Sequence, residues 1–180
     1  MTTFVALLRG VNVGKAKRVP MAEFRKLLLA LGYADVTTLL NSGNAVFIAR
    51  SGAAVAHASA IAGVIARKLK VEVPVIVKSA KELAAIVAEN PIAVDAAEHP
   101  RFLVAFAQEP SALSGLAVIE PLVQPPEGFA IGRHAAYLHC ARGILESKAG
   151  AALLGKAGRA ATTRNLATTL KLLALAERAR

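Results

Sequence analysis

The chain has one cysteine, Cys140, in 180 residues. That excludes an intramolecular disulfide and fits a reducing compartment. The four histidines, His57, His99, His134 and His139, include no HExxH or similar spacing, so no metal site is expected. Tryptophan is absent and aromatics make up only 4%, which leaves few rings to stack on nucleobases. Hydrophobic residues reach 55%, much of it alanine, but no run approaches the roughly 18–20 apolar residues that a bilayer demands. No membrane association is expected. The apolar run at residues 4–8 has no basic residue before it and is ended by Arg9. A secretory leader is therefore not expected, and a cytoplasmic location is.

Acids are also scarce, twelve against 22 Lys and Arg, for a formal charge of +10. The excess is uneven. Residues 1–78 carry eleven cations and three acids, residues 79–127 two and seven, and residues 128–180 nine and two. A basic surface attracts polyanions through counterion release; the alternative is a solvated surface in an Arg- and Ala-rich protein.

Hydrophobic periodicity gives an alternating order of elements. Residues 4–8 read as a strand buried on both faces. Pro20 opens a helix whose Met21, Phe24, Leu27, Leu28 and Leu31 share one side, with Gly32 as its stop. Residues 36–40 and 45–49 read as a hairpin around Asn41-Ser42-Gly43-Asn44. An Ala-rich helix then ends in Arg67, Lys68 and Lys70, and residues 71–79 read as a strand made irregular or peripheral by Pro74. Ser79 and Glu82 form a capping box for a further helix ending at Asn90-Pro91.

After the acidic stretch around residues 94–100 the pattern restarts. Strands are expected at 101–107, 129–132 and 135–141, with helices at 111–116 and 146–154. A last helix is expected from Thr163 to about Ala179 where a final strand would complete the repeat. The fold class is α+β: two ferredoxin-like (β-α-β-β-α-β type) subdomains packed together, with a C-terminal helix. The expected bounds are 1–78 for the N-terminal subdomain, 79–98 for a connecting helix and linker, and 99–180 for the C-terminal subdomain with its terminal helix. Strands this apolar imply sheets covered on both faces, which argues against RNA recognition on an open sheet.

The segment LLRGVNVGKAKRVPM, residues 7–21, brings two glycines four residues apart and then three basic residues in four positions into one connection. It is one residue short of a Walker A loop, Ala16 follows Lys15, and GxGxxG is absent. What remains is a glycine-permitted turn that either forms an anion nest with Lys15, Lys17 and Arg18 beside it or simply joins strand to helix. Along residues 136–140, alternation places Ala136, Leu138 and Cys140 on the buried side and Tyr137 and His139 outward, so His139 does not activate Cys140. His57 and His99 read as surface histidines. Arg164 falls in the first turn of the final helix, capped by Thr162 or Thr163. There it opposes the helix dipole and needs a carboxylate, a loop carbonyl or a bound anion as partner.

Residues 7–47, with Ser147-Lys148 and the TTRN segment at residues 162–165, closely resemble the bacterial Domain of Unknown Function 1697 family. The matching positions are Arg9, Gly10, Asn12, Gly14, Pro20 and Met21, then Ser42, Gly43 and Asn44, then Thr163, Arg164 and Asn165. The resemblance implies two ferredoxin-like α+β subdomains and supplies no activity. Lys15 stands where the family usually has a second glycine, Asn41 where it often has glutamine, and Leu166-Ala167 where it usually has tryptophan then asparagine.

Polar residues gathered at turns between apolar elements mark the expected ligand site: Arg9, Asn12, Gly14, Lys15, Ser42, Gly43, Asn44, Arg164 and Asn165. The expected partner is a phosphorylated small molecule or nucleic acid. The alternatives are an enzyme acting on a small anionic substrate, contacted by Asn12, Ser42 or Asn44, and a module for protein association without a ligand. No catalytic acid and base pair, cofactor motif or oligomerisation signature stands out.

Overall fold

β1 (Thr2–Leu8) is buried from its second residue onward on both faces, as its continuous apolar run predicts. In the computed structural model, which describes residues 1–179, this strand pairs antiparallel with β3 (Asn44–Ala49) on one side and β4 (Val75–Ser79) on the other. β2 (Ala34–Leu39) pairs with β3, giving the order β2-β3-β1-β4. Phe4, Ala6 and Leu8 share a core with Ala45 and Phe47 of β3, with Phe24 and Leu28 of α1 (Met21–Ala30), and with Ile61 and Ile65 of α2 (Ala54–Leu69). The opposite side of β1, Val5 and Leu7, is equally dry. Pro74 lies just before β4, which occupies a sheet edge, in keeping with its missing N–H.

The second half repeats the plan. β5 (Phe102–Ala107) lies between β7 (Ala135–His139) and β8 (Ala161–Asn165), β6 (Gly128–Ile131) pairs with β7, and the order is β6-β7-β5-β8. One face of β5 and β7 shares a core with Leu113 of α4 (Pro110–Ser114) and Ala149 and Leu153 of α5 (Lys148–Leu154). The two sheets with their interleaved helices form two ferredoxin-like subdomains, followed by α6 (Leu166–Arg178). The chain divides into two compact units, Met1–Leu83 joined by the chain from Leu172 on, and Ala84–Lys171.

Ser79 and Glu82 cap α3 (Ala80–Glu89) as expected: Ser79 N donates to Glu82 Oε2 at 2.8 Å and Glu82 N to Ser79 Oγ at 3.2 Å. Three expectations are corrected. Residues 161–165 are a strand, not the start of the last helix, because the β-branched pair Thr162 and Thr163 extends along β5, Thr162 opposite Phe106 and Thr163 opposite Ala105. Tyr137 does not face water; it is 1% exposed, since both faces of β7 are covered. His57 is no surface histidine but a buried one, ringed by Phe4, Tyr33 and Phe47.

Candidate functional site

The connection from β1 to α1 is shaped by Asn12. Its backbone takes φ 58°, a left-handed conformation that asparagine tolerates better than most residues. Its side chain then uses all its donors and its acceptor oxygen. Nδ2 donates to Val19 O at 2.8 Å and to Asn41 O at 2.7 Å, while Oδ1 accepts Val19 N–H at 2.9 Å. Its own N–H donates to Lys17 O at 3.1 Å. Buried Val11 and Val19 seat the two ends of the loop, and Val13 to Arg18 between them are exposed. Lys15, Lys17 and Arg18 thus stand in water on a backbone that is pinned at both ends.

The hairpin residues complete this corner. Leu8 N donates to Gly43 O at 2.8 Å. Gly43 takes φ 84°, and a Cβ there would lie 2.6 Å from Leu8 Cβ and 2.8 Å from Val11 Cγ2, so glycine is required by conformation and by space. Asn44 is fully buried and donates through Nδ2 to Leu39 O at 2.8 Å and Ser42 Oγ at 3.0 Å. Gly10, Asn12, Gly14, Lys17, Leu40 and Gly43 all have positive φ. A concentration of sparsely populated backbone conformations is characteristic of functional loops. Arg9 extends the pairing of β1 with β4 by donating its N–H to Pro74 O at 3.0 Å.

Lys17 also borders an open groove of about 430 Å³ whose other walls are Ala62, Gly63 and Ala66 of α2 and the stretch Glu72, Val73 and Pro74. The last turn of α2 adds Arg67 and Lys68, followed by Lys70. The basic loop and the basic helix end therefore both belong to the first unit.

Arg9, Asn12, Gly14, Lys15, Ser42, Gly43 and Asn44 all lie in this first unit, with Asn12 joining the loop to the hairpin. Arg164 and Asn165 belong to the second unit. Arg164 sits in β8, not in the first helical turn. It is 8% exposed, and its Nη1 donates to Thr162 Oγ1 at 3.0 Å and Thr163 O at 2.8 Å. Burial draws the guanidinium down to about 10, still charged at neutral pH. The cap of α6 is Asn165 rather than Thr162 or Thr163: its Oδ1 accepts Thr168 N–H at 2.8 Å.

Three polar clusters escape a reading of the sequence. Tyr33 Oη and His57 Nδ1 are 2.8 Å apart. Glu89 receives the backbone N–H of His134 and Ala135 and lies 2.8 Å from His134 Nδ1. Glu98 Oε2 is 2.9 Å from His139 Nε2, and both line a cavity of about 360 Å³ with Ala93, Val94 and Asp95. The hydrogen bond from His139 holds the Glu98 carboxyl below its usual range. None of these lining residues carries a hydroxyl or thiol. Each cluster joins residues 24 or more apart in sequence, so no local spacing announces it. Among the described residues no three His, Cys, Asp or Glu side chains are placed to hold a metal ion.

The family described as Protein of unknown function (DUF1697) matches residues 1–137. The chain belongs to this family. A solved structure, "The structure of conserved bacterial protein SP0830 from Streptococcus pneumoniae", is similar with a TM-score of 0.80 at 24% identity, covering 97% of this chain and 98% of that one. At that identity the likeness bears on the fold alone, and it is the fold described above. No curated protein matches the chain. Among the described residues no helix is long and apolar enough to cross a membrane.

Proposed function

We propose that this DUF1697 protein binds a phosphate-bearing ligand on the exposed arc Val13 to Arg18 of its first unit. The observation that carries the reading is the pairing of a fixed backbone with unspent charge. Asn12 clamps the loop through its whole side chain, while among the described residues none of Lys15, Lys17 and Arg18 meets a carboxylate. A pre-shaped loop loses little entropy on binding, and its glycine-permitted amides can add to the charge as an anion nest. In this reading Arg9, Gly14 and Lys15 approach the ligand, and Asn12, Ser42, Gly43 and Asn44 hold the shape. Arg164 and Asn165 serve the strand and helix cap of the second unit.

Two sources of phosphate fit, and salt separates them. Three phosphate contacts on single-stranded nucleic acid or duplex predict an affinity loss of roughly 20- to 40-fold between 50 and 200 mM salt. The test is a thermal-shift series with nucleotides, sugar phosphates and short RNA and DNA, repeated on Lys15→Gln/Lys17→Gln/Arg18→Gln. Stabilisation that vanishes in the triple variant supports the reading, because a ligand that prefers the native state raises its apparent stability. Stabilisation that survives the triple variant, or none with any probe, overturns it.

A further inference from the structure

The first unit carries a second arrangement of cations, on the side of α1 and β2. β2 is an edge strand, and its pairing with β3 slips between Ala34 and Thr37: the partners of these residues, Ile48 and Val46, are only two apart. One residue is therefore bulged, and Asp35 at that point has φ 48°. Bulges re-aim side chains and recur beside binding sites. A cavity of about 540 Å³ opens there, within the roughly 300–1,000 Å³ of small-molecule pockets. Its charged lining is Arg25, Arg178 and Asp35, and Leu29, Val36 and Leu175 are its apolar walls.

Both arginines are held in the same manner. Arg25 Nε donates to Val36 O at 3.1 Å, the carbonyl beside the bulge, and Arg178 Nε donates to Ala174 O at 3.2 Å. The bond on Nε fixes each guanidinium plane, and among the described residues neither Arg makes an ion pair, with Asp35 or any other acid. The nearest acid on α1, Glu23, is taken by Lys26 at 2.8 Å. Two oriented forks with their terminal amino groups open are the arrangement that recognises carboxylate or phosphate oxygens. Asp35 accepts only, so it suits a ligand with a hydroxyl or amino donor beyond the anionic group.

We propose that this cavity is a binding site for a small organic oxyanion: its phosphate or carboxylate lies between Arg25 and Arg178, and a hydroxyl or amino group meets Asp35. The site is distinct from the Val13 to Arg18 arc, and the variants of each leave the other intact.

Titration calorimetry on the full chain with inorganic phosphate, glycerol phosphate and malate tests it. The expected result is that at least one organic probe binds more tightly than inorganic phosphate. Arg25→Gln and Arg178→Gln should each weaken that binding by roughly tenfold or more, Asp35→Asn should reduce the preference for the organic probe, and the Lys15/Lys17/Arg18 variant should leave it unchanged. The arm that binds, glycerol phosphate or malate, distinguishes phosphate from carboxylate. Arg178 is exposed at the end of α6, so Arg178→Gln keeps the fold even if Arg25→Gln loosens β2, and thermal unfolding of both verifies this. No binding of any probe at millimolar concentration, binding undiminished in Arg178→Gln, or equal affinity for inorganic phosphate overturns the proposal.

Discussion

Tyr137 Oη lies 2.9 Å from Glu89 Oε1 and 2.6 Å from Ile86 O, in a side chain only 1% exposed. One phenolic proton serves two acceptors, and the carboxylate that shares it also receives the His134 and Ala135 amides of the β6–β7 turn. Burial raises the Glu89 carboxyl, but the hydrogen bonds from His134 and Tyr137 outweigh it and hold the group below its ordinary range. The same surroundings push the Tyr137 phenol far up, chiefly through burial and then through the bond to Glu89. Gly132 lies beneath this latch, where a Cβ would press on the Glu89 carboxylate and displace it.

Replacing Glu89 by Gln keeps one oxygen for the His134 and Ala135 amides and the Tyr137 hydroxyl, but it removes the charge that strengthens those bonds and puts an amide donor opposite His134 Nδ1. Glu89→Gln should cost about 1–3 kcal/mol in urea unfolding. Because the native carboxyl is depressed, its contribution is present above the unfolded-state value and is lost as pH falls through the native one. The variant should therefore lose less stability than the parent on acidification. Equal acid sensitivity would show that Glu89 is not the group responsible.

Burial pushes the His57 imidazole below its ordinary range. The native state then holds it neutral, while the unfolded chain takes up a proton near about pH 6.5. The fold's stability from this residue is complete above that pH and declines as pH falls from there toward the lower native value. His57→Phe suits the ring neighbours Phe4 and Phe47 and removes the titration, though it also removes the bond to Tyr33. Guanidinium unfolding at a series of pH values between neutral and about 5 should show a shallower slope for the variant; an unchanged slope rejects the assignment.

The architecture was legible because its signals are local. The apolar run of β1, the helical stripe of Phe24 and Leu28, and the Ser79–Glu82 box each lie within a few residues of sequence. The strong apolar helical stripe beyond Thr163 predicts a helix starting there, and only pairing with β5 reveals that residues 161–165 form a strand. Asn12, Gly43 and Asn44 stood out as residue types suited to turns, but whether their polar atoms face a ligand or the interior depends on partners such as Val19, Leu39 and Asn41. The Arg25–Arg178 cavity had no signature at all: it joins the middle of one helix to the end of another more than 150 positions away, and neither arginine belongs to a motif.

Two glycines in one corner should respond differently to the same substitution. Gly14 takes φ 63° but has nothing within 4 Å of a would-be Cβ, whereas Gly43 has both φ 84° and a 2.6 Å approach to Leu8 Cβ. Gly14→Ala should cost about 1–2 kcal/mol from backbone conformation alone. Gly43→Ala should cost about 2–5 kcal/mol, because Leu8 and Val11 must move within a packed core. Denaturant midpoints of the two variants check the ordering, and equal losses would mean that the hairpin relaxes freely.

Asn12 tests how shape and binding are related. Asn12→Ala removes three side-chain hydrogen bonds, to Val19 twice and to Asn41 once, and leaves a left-handed backbone without the residue that tolerates it. Asn12→Gly removes the same bonds but restores the conformational freedom, so the difference between the two isolates the backbone cost of about 1–2 kcal/mol, against a shared loss of roughly 2–4 kcal/mol for the bonds. Neither variant changes the charge of Lys15, Lys17 or Arg18. If the clamp pre-shapes the arc, both should weaken phosphate-ligand binding while leaving its salt dependence intact, since the number of ionic contacts is unchanged. A flatter salt dependence in Asn12→Gly would mean instead that the loop has lost cationic contacts, and the clamp would then act on charge placement rather than on the entropy of binding.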